Sequence, residues 1–223
     1  MLVGLAVVTV MTPQIAGAGS VAVDYAQCAN GTGTSRACPD GWINGILQAS
    51  NSHYHEDEVT PQRLTADVPT AGNHSITLRY QVKKDTTHAY DSLATWNLTQ
   101  NVLVKGNRCD GLTAGKCAGA LTMDPAVTNI PDDPASDSGS AAAGGNGDQD
   151  YDSHMIGTDN GHRQFELYGD NSPAFLAFDN PPYVHTMSGS DEYASIKINF
   201  SVAQAGKVQL LFGGHIAAPT GLR

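Results

Sequence analysis

The densest set of potential metal ligands in this chain is His53-Tyr54-His55-Glu56-Asp57-Glu58. In an extended backbone His53, His55 and Asp57 would project from one face, and imidazole with carboxylate is a donor set that suits a transition ion. The competing reading is a polar turn ahead of a strand beginning at Val59, and the sequence favours the turn. A second constellation, His88 and Asp91 with a serine, contains the residue types of a hydrolase triad. The Gly-x-Ser-x-Gly elbow that would expose a nucleophile is missing. Paired carboxylates for glycoside chemistry are defined by their separation in space, which a sequence does not supply. With no convincing catalytic motif, the chain is expected not to be an enzyme.

Two acidic stretches, Asp132 to Asp137 and Asp148 to Asp159, offer oxygen donors of the kind calcium prefers. Neither follows the twelve-residue EF-hand spacing with its closing glutamate. If an ion binds, Asp148, Asp150 and Asp152 are the expected ligands; the alternative is a solvated loop with no cofactor. Tyr25, Trp42, Tyr54, Tyr80, Tyr90 and Trp96 could include a carbohydrate-stacking platform, although such aromatics serve more often in a core. Asn30, Asn73, Asn97 and Asn199 each begin an N-glycosylation acceptor pattern.

The four cysteines fall into two local pairs, Cys28 with Cys38 and Cys109 with Cys117, with nine and seven residues between partners. Four cysteines admit three pairings, and the sequential one is expected because each bond closes a short loop. Zinc is the rival, yet these spacings are not the two-residue knuckles of structural zinc sites. Disulfides imply an oxidising compartment. Residues Leu2 to Met11 carry no charge, Pro13 follows, and Ala16-Gly17-Ala18 has the small-x-small form of a signal-peptidase site. Residues 1–18 therefore read as a signal peptide, with mature protein starting at Gly19. The same run is rich in β-branched residues, so Val3, Leu5, Val7, Val8 and Val10 also suit a strand donated to another copy. Ten apolar residues are too few to span a bilayer.

Twenty-two acidic against twelve basic side chains give a formal charge of -10. Such a surface repels nucleic acid, and no nucleic-acid partner is expected. The elements that must position these residues are strands. Hydrophobic residues make up 40% of the chain and charged ones only 15%, with 24 glycines to serve tight turns. Ile76, Leu78, Tyr80 and Val82 alternate with Thr77, Arg79, Gln81 and Lys83, a period of two that buries one face. Ile196, Ile198, Phe200 and Val202 repeat the pattern. Further strands are expected at 20–27, 42–48, 59–68, 88–98, 101–105, 164–168, 174–178, 183–187 and 207–212. Residues 125–161, rich in Asp, Gly and Ser, are expected to form a long loop. The fold class is thus all-β: one β-sandwich or jelly-roll-like domain over 19–223. Gly213-Gly214-His215-Ile216-Ala217 reads as a strand end with little sequence after it, which suggests a sandwich closed by a strand from elsewhere.

Gln27-Cys28-Ala29-Asn30-Gly31, Trp42-Ile43-Asn44-Gly45, Asn51-Ser52-His53-Tyr54 and Thr87-His88-Ala89-Tyr90-Asp91-Ser92-Leu93, with the later Gly213 to Ala217, form a set of short segments. In them the chain resembles a widespread group of exported, largely uncharacterised bacterial surface proteins. The resemblance implies a β-rich domain of surface or fibre proteins, extracellular or on the cell surface, with no catalytic residues to carry over. The expected function is a structural subunit of an extracellular filament, its partners being copies of itself in a helical homopolymer built by strand donation. The alternative is a monomeric adhesin or a module that binds carbohydrate or calcium.

Overall fold

The computed structural model describes residues 23–31, 41–45, 47, 51, 52, 54, 55, 58–85, 87–96, 98, 99, 102, 103, 108–113, 115–133 and 163–217. Among them the fold is all-β. The strands are β1 (Val23–Cys28), β2 (Trp42–Ile43), β3 (Val59–Val68), β4 (Gly72–Lys84), β5 (Thr87–His88), β6 (Tyr90–Ala94), β7 (Leu98–Thr99), β8 (Val102–Leu103), β9 (Ala126–Asn129), β10 (Gln164–Tyr168), β11 (Ala174–Phe175), β12 (Tyr183–Ser188), β13 (Asp191–Val202) and β14 (Gly206–Ile216). Two antiparallel sheets pack together as a β-sandwich. The larger runs β2-β1-β3-β14-β10-β9, and β6 also pairs with β14. The smaller runs β11-β13-β4-β5, with β12 also on β13.

The period-two segments explain the core. In the smaller sheet Ile76 lies opposite Ile198, Leu78 opposite Ile196 and Tyr80 opposite Ala194, so one face of the β4/β13 pair is apolar apart from buried His74, which lies opposite Phe200. The larger sheet answers with Leu64, Ala66, Phe165, Leu167, Val208, Leu210 and Phe212, all buried in the same cluster. Burial of each large side chain contributes about 1.5–3 kcal/mol, and this shared apolar layer is what holds sheet to sheet.

Each sheet has one long strand flanked on its second side by two short ones. β14 pairs with β3 from Gly206 to His215, while β10 and β6 divide its other side between Gln209–Leu211 and Gly213–Ile216. β13 pairs with β4 over nearly its whole length, while β12 and β11 divide the opposite side. The glycines of β14 permit this crowding. A Cβ at Gly213 would lie 2.3 Å from a Val59 methyl carbon, and one at Gly214 would lie 2.9 Å from the Tyr90 ring.

One expectation is corrected. Residues 126–129, assigned to the long loop, form a strand that pairs with β10, Val127 opposite Glu166 and Thr128 opposite Phe165. β9 is an edge strand made by main-chain pairing, with Val127 exposed, so it lacks the apolar stripe that marks a strand in sequence. Residues 134–161 of that segment lie outside the described residues. The Gly213–Ile216 segment, expected as a strand end, is the end of β14, which lies at the centre of the larger sheet.

Candidate functional site

Alternation in β3 and β14 turns Arg63, Thr65, Gln209 and Leu211 away from the sandwich, yet all four are buried. They are covered by the loop that the Cys109–Cys117 disulfide closes, its Cα atoms 5.4 Å apart. Beneath it Ala26, Cys28, Trp42, Trp96, Tyr168 and Leu211 form a second small core. Two arginines fasten the loop. Arg108 donates to Gln209 Oε1 at 2.6 Å and to the carbonyls of Ala118 at 2.8 Å and Ala120 at 2.6 Å, with its guanidinium 4.1 Å from the Tyr168 ring centre. Arg63 donates to the carbonyls of Arg108 at 2.9 Å and Asp110 at 2.8 Å and lies 4.7 Å from the Trp42 ring centre.

Charged donors bound to carbonyls and stacked on rings are the means by which a buried cation is satisfied. Burial lowers the Arg63 pKa to about 10, opposed by Asp24 and Asp110, which leaves it charged at neutral pH. Glu166 accepts from Trp96 Nε1 and from the Tyr168 hydroxyl, both at 2.7 Å. Burial, then the Glu166 bond, raises the Tyr168 pKa. The polar groups of this cluster are turned on one another, and the arrangement braces the loop.

The two lateral rims of the sandwich differ. On one, β9 touches β11 and His185 of β12 bridges the sheets. Its Nε2 lies 3.0 Å from both carboxylate oxygens of buried Asp133, and its Nδ1 lies 3.0 Å from Glu192 Oε1. The Asp133 bond is the main cause of a raised His185 pKa. Asp132 pairs with Arg163 at 2.7 Å, and Arg163 also donates to the Leu93 carbonyl at 3.1 Å. On the other rim, β4 runs thirteen residues. Beyond β13, the strand pairing it has among the described residues is with β5, at Lys83 and Lys84. Opposite it the larger sheet continues past β3 into β1 and β2, and Val23 and Tyr25 of β1 are only partly buried against the core.

The sequence candidates distribute as follows. Cys109 and Cys117 are bonded to each other, as expected. Cys28 is disulfide-bonded and buried in the small core, whereas Cys38 lies outside the described residues. Val3, Leu5, Val7, Val8, Val10, Asn97, Asp148, Asp150 and Asp152 also lie outside them. Asn30 is buried, Asn73 is exposed at the start of β4, and Asn199 is half-buried with its amide donating to the Ala177 carbonyl and Asp179, each at 3.0 Å. The His55 backbone N–H donates to buried Glu58 at 3.0 Å, closing a turn before β3. Asp91 contacts Nδ1 of buried His215, a residue of β14, at 2.6 Å. No grouping of three metal-ligand side chains suited to an ion occurs among the described residues. No helix among them is long and apolar enough to cross a membrane.

The residues that sequence reasoning missed are Arg63, Arg108, Asp133 and His185. Arg63 carried a faint signal, a cation at mid-strand between the apolar positions of β3. His185 carried none, because its main partner is 52 residues away. Comparison with protein-family models, with curated proteins and with solved structures gives no match.

Proposed function

We propose that this chain is a structural subunit of an extracellular bacterial filament or surface assembly, and that copies join by strand donation. The observation that carries the reading is the β4 rim: over Ser75–Arg79 strand pairing among the described residues is on the β13 side alone, while the opposite sheet extends two strands further. An edge of this kind presents main-chain donors and acceptors and accepts an added strand through them. The donor is the segment Leu2 to Val10. In an extended conformation Val3, Leu5 and Val7 share one face, which would meet the partly buried Val23 and Tyr25 of the acceptor. Such a contact joins unlike surfaces head to tail and, where it does not close into a ring, generates a helical homopolymer. The disulfide-braced loop suits an oxidising, extracellular setting.

N-terminal sequencing of secreted material is the first test, because a mature start at Gly19 removes the donor. If residues 2–10 are retained, Leu5→Asp puts a charge into the donated face. Negative-stain microscopy should then show no fibres while circular dichroism of the monomer is unchanged; fibres of normal length refute strand donation.

A second reading, a monomeric carbohydrate-binding module, draws on a groove of about 190 Å³ beside the disulfide loop, lined by Asp24, Thr65, Asp67, Thr113, Lys116 and Lys207 among others. Ligand pockets usually enclose about 300–1,000 Å³, and this lining contains no aromatic ring on which a sugar could stack. Filament formation is the better supported of the two.

A further inference from the structure

His185 occupies an unusual electrostatic position. Both ring nitrogens face carboxylates, Asp133 from the segment after β9 and Glu192 from β13. Neutral imidazole has one N–H and one lone pair, so it can donate to only one of them, and its lone pair then confronts the other carboxylate. The protonated ring donates to both. Other charged groups lie near this rim. Asp132 pairs with Arg163, Asp191 accepts the Asp85 backbone N–H at 3.2 Å, and Lys83 of β4 lies opposite Glu192 in the strand register. From β12 itself the neighbours Val184 and Thr186 add no charge. Asp133 is nearly enclosed, its side chain 3% exposed, so its contact with His185 is made largely out of water.

We infer that His185 is a proton-dependent clasp that fastens the larger sheet to the smaller at the β9/β12 rim and loosens the Ala126–Asp133 segment as the pH rises. The sign follows from linkage. A histidine whose pKa is higher folded than unfolded contributes stability that is fully present below the ordinary value of 6.5 and is lost as the pH climbs through the raised folded value. Each unit of elevation corresponds to about a tenfold change in the opening equilibrium. Release of β9 would also uncover the second edge of β10.

The test is hydrogen exchange read by mass spectrometry from pH 5.5 to 8.5, corrected for intrinsic rates, combined with an NMR titration of the His185 ring. Wild type should show a ring pKa above 6.5. Protection of residues 126–133 should fall by about tenfold for each unit of that elevation, while amides of the β4/β13 pair stay constant. In His185→Gln the protection should be flat with pH. Glu192→Gln, a milder change at a more exposed position, should lower the ring pKa and shrink the fall. A ring pKa at or below 6.5, protection that does not respond to pH in wild type, or an unchanged profile in either variant overturns the clasp. None of these outcomes bears on fibre formation, so the two proposals stand or fall separately.

Discussion

The two rims of this sandwich solve the same problem in opposite ways. At the β9/β12 rim the edges belong to strands of four and six residues; the His185–Asp133 contact ties one sheet to the other, Arg163–Asp132 braces the larger sheet and Glu192 holds His185 within the smaller. At the β4 rim a thirteen-residue strand meets only a two-residue partner beyond β13 among the described residues. Exposed edges invite pairing with other chains, and proteins normally blunt them with short strands, charges or covering segments. The first rim is protected in that manner, and the second is the rim on which the proposed strand donation rests. Polar side chains therefore act differently on the two sides, as ties on one and as a solvated surface on the other.

The comparison can be broken from three directions. The largest expected effect comes from a change that spares both rims. Replacing Cys109 and Cys117 by serine removes a bond closing a short loop and should cost about 2.5 kcal/mol by loop entropy. Chemical denaturation should register this loss while exchange at residues 126–133 and 75–79 changes only as much as global stability does. Selective opening of either rim would mean that the loop supports it directly.

Next, Arg163→Ala attacks the protected rim. It strips a nearly buried guanidinium from the Leu93 carbonyl and from Asp132, which is 72% exposed in its side chain, so most of the loss belongs to the carbonyl. A cost of about 1–3 kcal/mol follows from leaving that group unsatisfied, and limited proteolysis should move toward residues 126–133. A variant as stable as wild type would show that the rim does not depend on this tie.

The smallest effect is expected at the open rim. Arg79 lies 3.8 Å over the Tyr193 ring on the outer face of the β4/β13 pair. Arg79→Ala removes this partly buried contact and should cost about 0.5–1 kcal/mol. Combined with Arg163→Ala, the two losses should add to within about 0.5 kcal/mol if the rims are independent. A larger departure in thermal or chemical melts would mean that the rims are coupled.

How much of this was readable in advance depends on what each residue answers to. β3 spans Val59–Val68 as the sequence indicates, and the alternation in β4 and β13 appears directly as alternating burial, because those patterns respond to the core itself. The Cys109–Cys117 bond followed from loop length alone. β9 was hidden because an edge strand is held by its neighbour's main chain and needs no apolar stripe. The buried arginines were hidden for a related reason: an arginine reads as a surface residue until a loop closes over it, and the loop over Arg63 is contributed by residues 45 and 47 positions later. The clasp depends on Asp133 and His185 meeting across two sheets, a fact about topology that no local pattern encodes. Strand order was equally opaque.

The central position of β14 has a consequence for how the protein comes into being. It lies furthest along the chain of all the described strands, yet β3, β6 and β10 all lean on it, and the Thr65–Gln209 contact spans 144 residues. Synthesis from the amino end releases β1 and β3 long before the strand that joins them to the rest of their sheet. A nascent chain must therefore carry an unzipped half-sheet through most of its elongation, and pairings this distant make folding slow. During that interval the unfinished sheet is open to wrong partners, including other copies of itself. The moment β14 emerges is the moment at which the larger sheet can first exist as a unit.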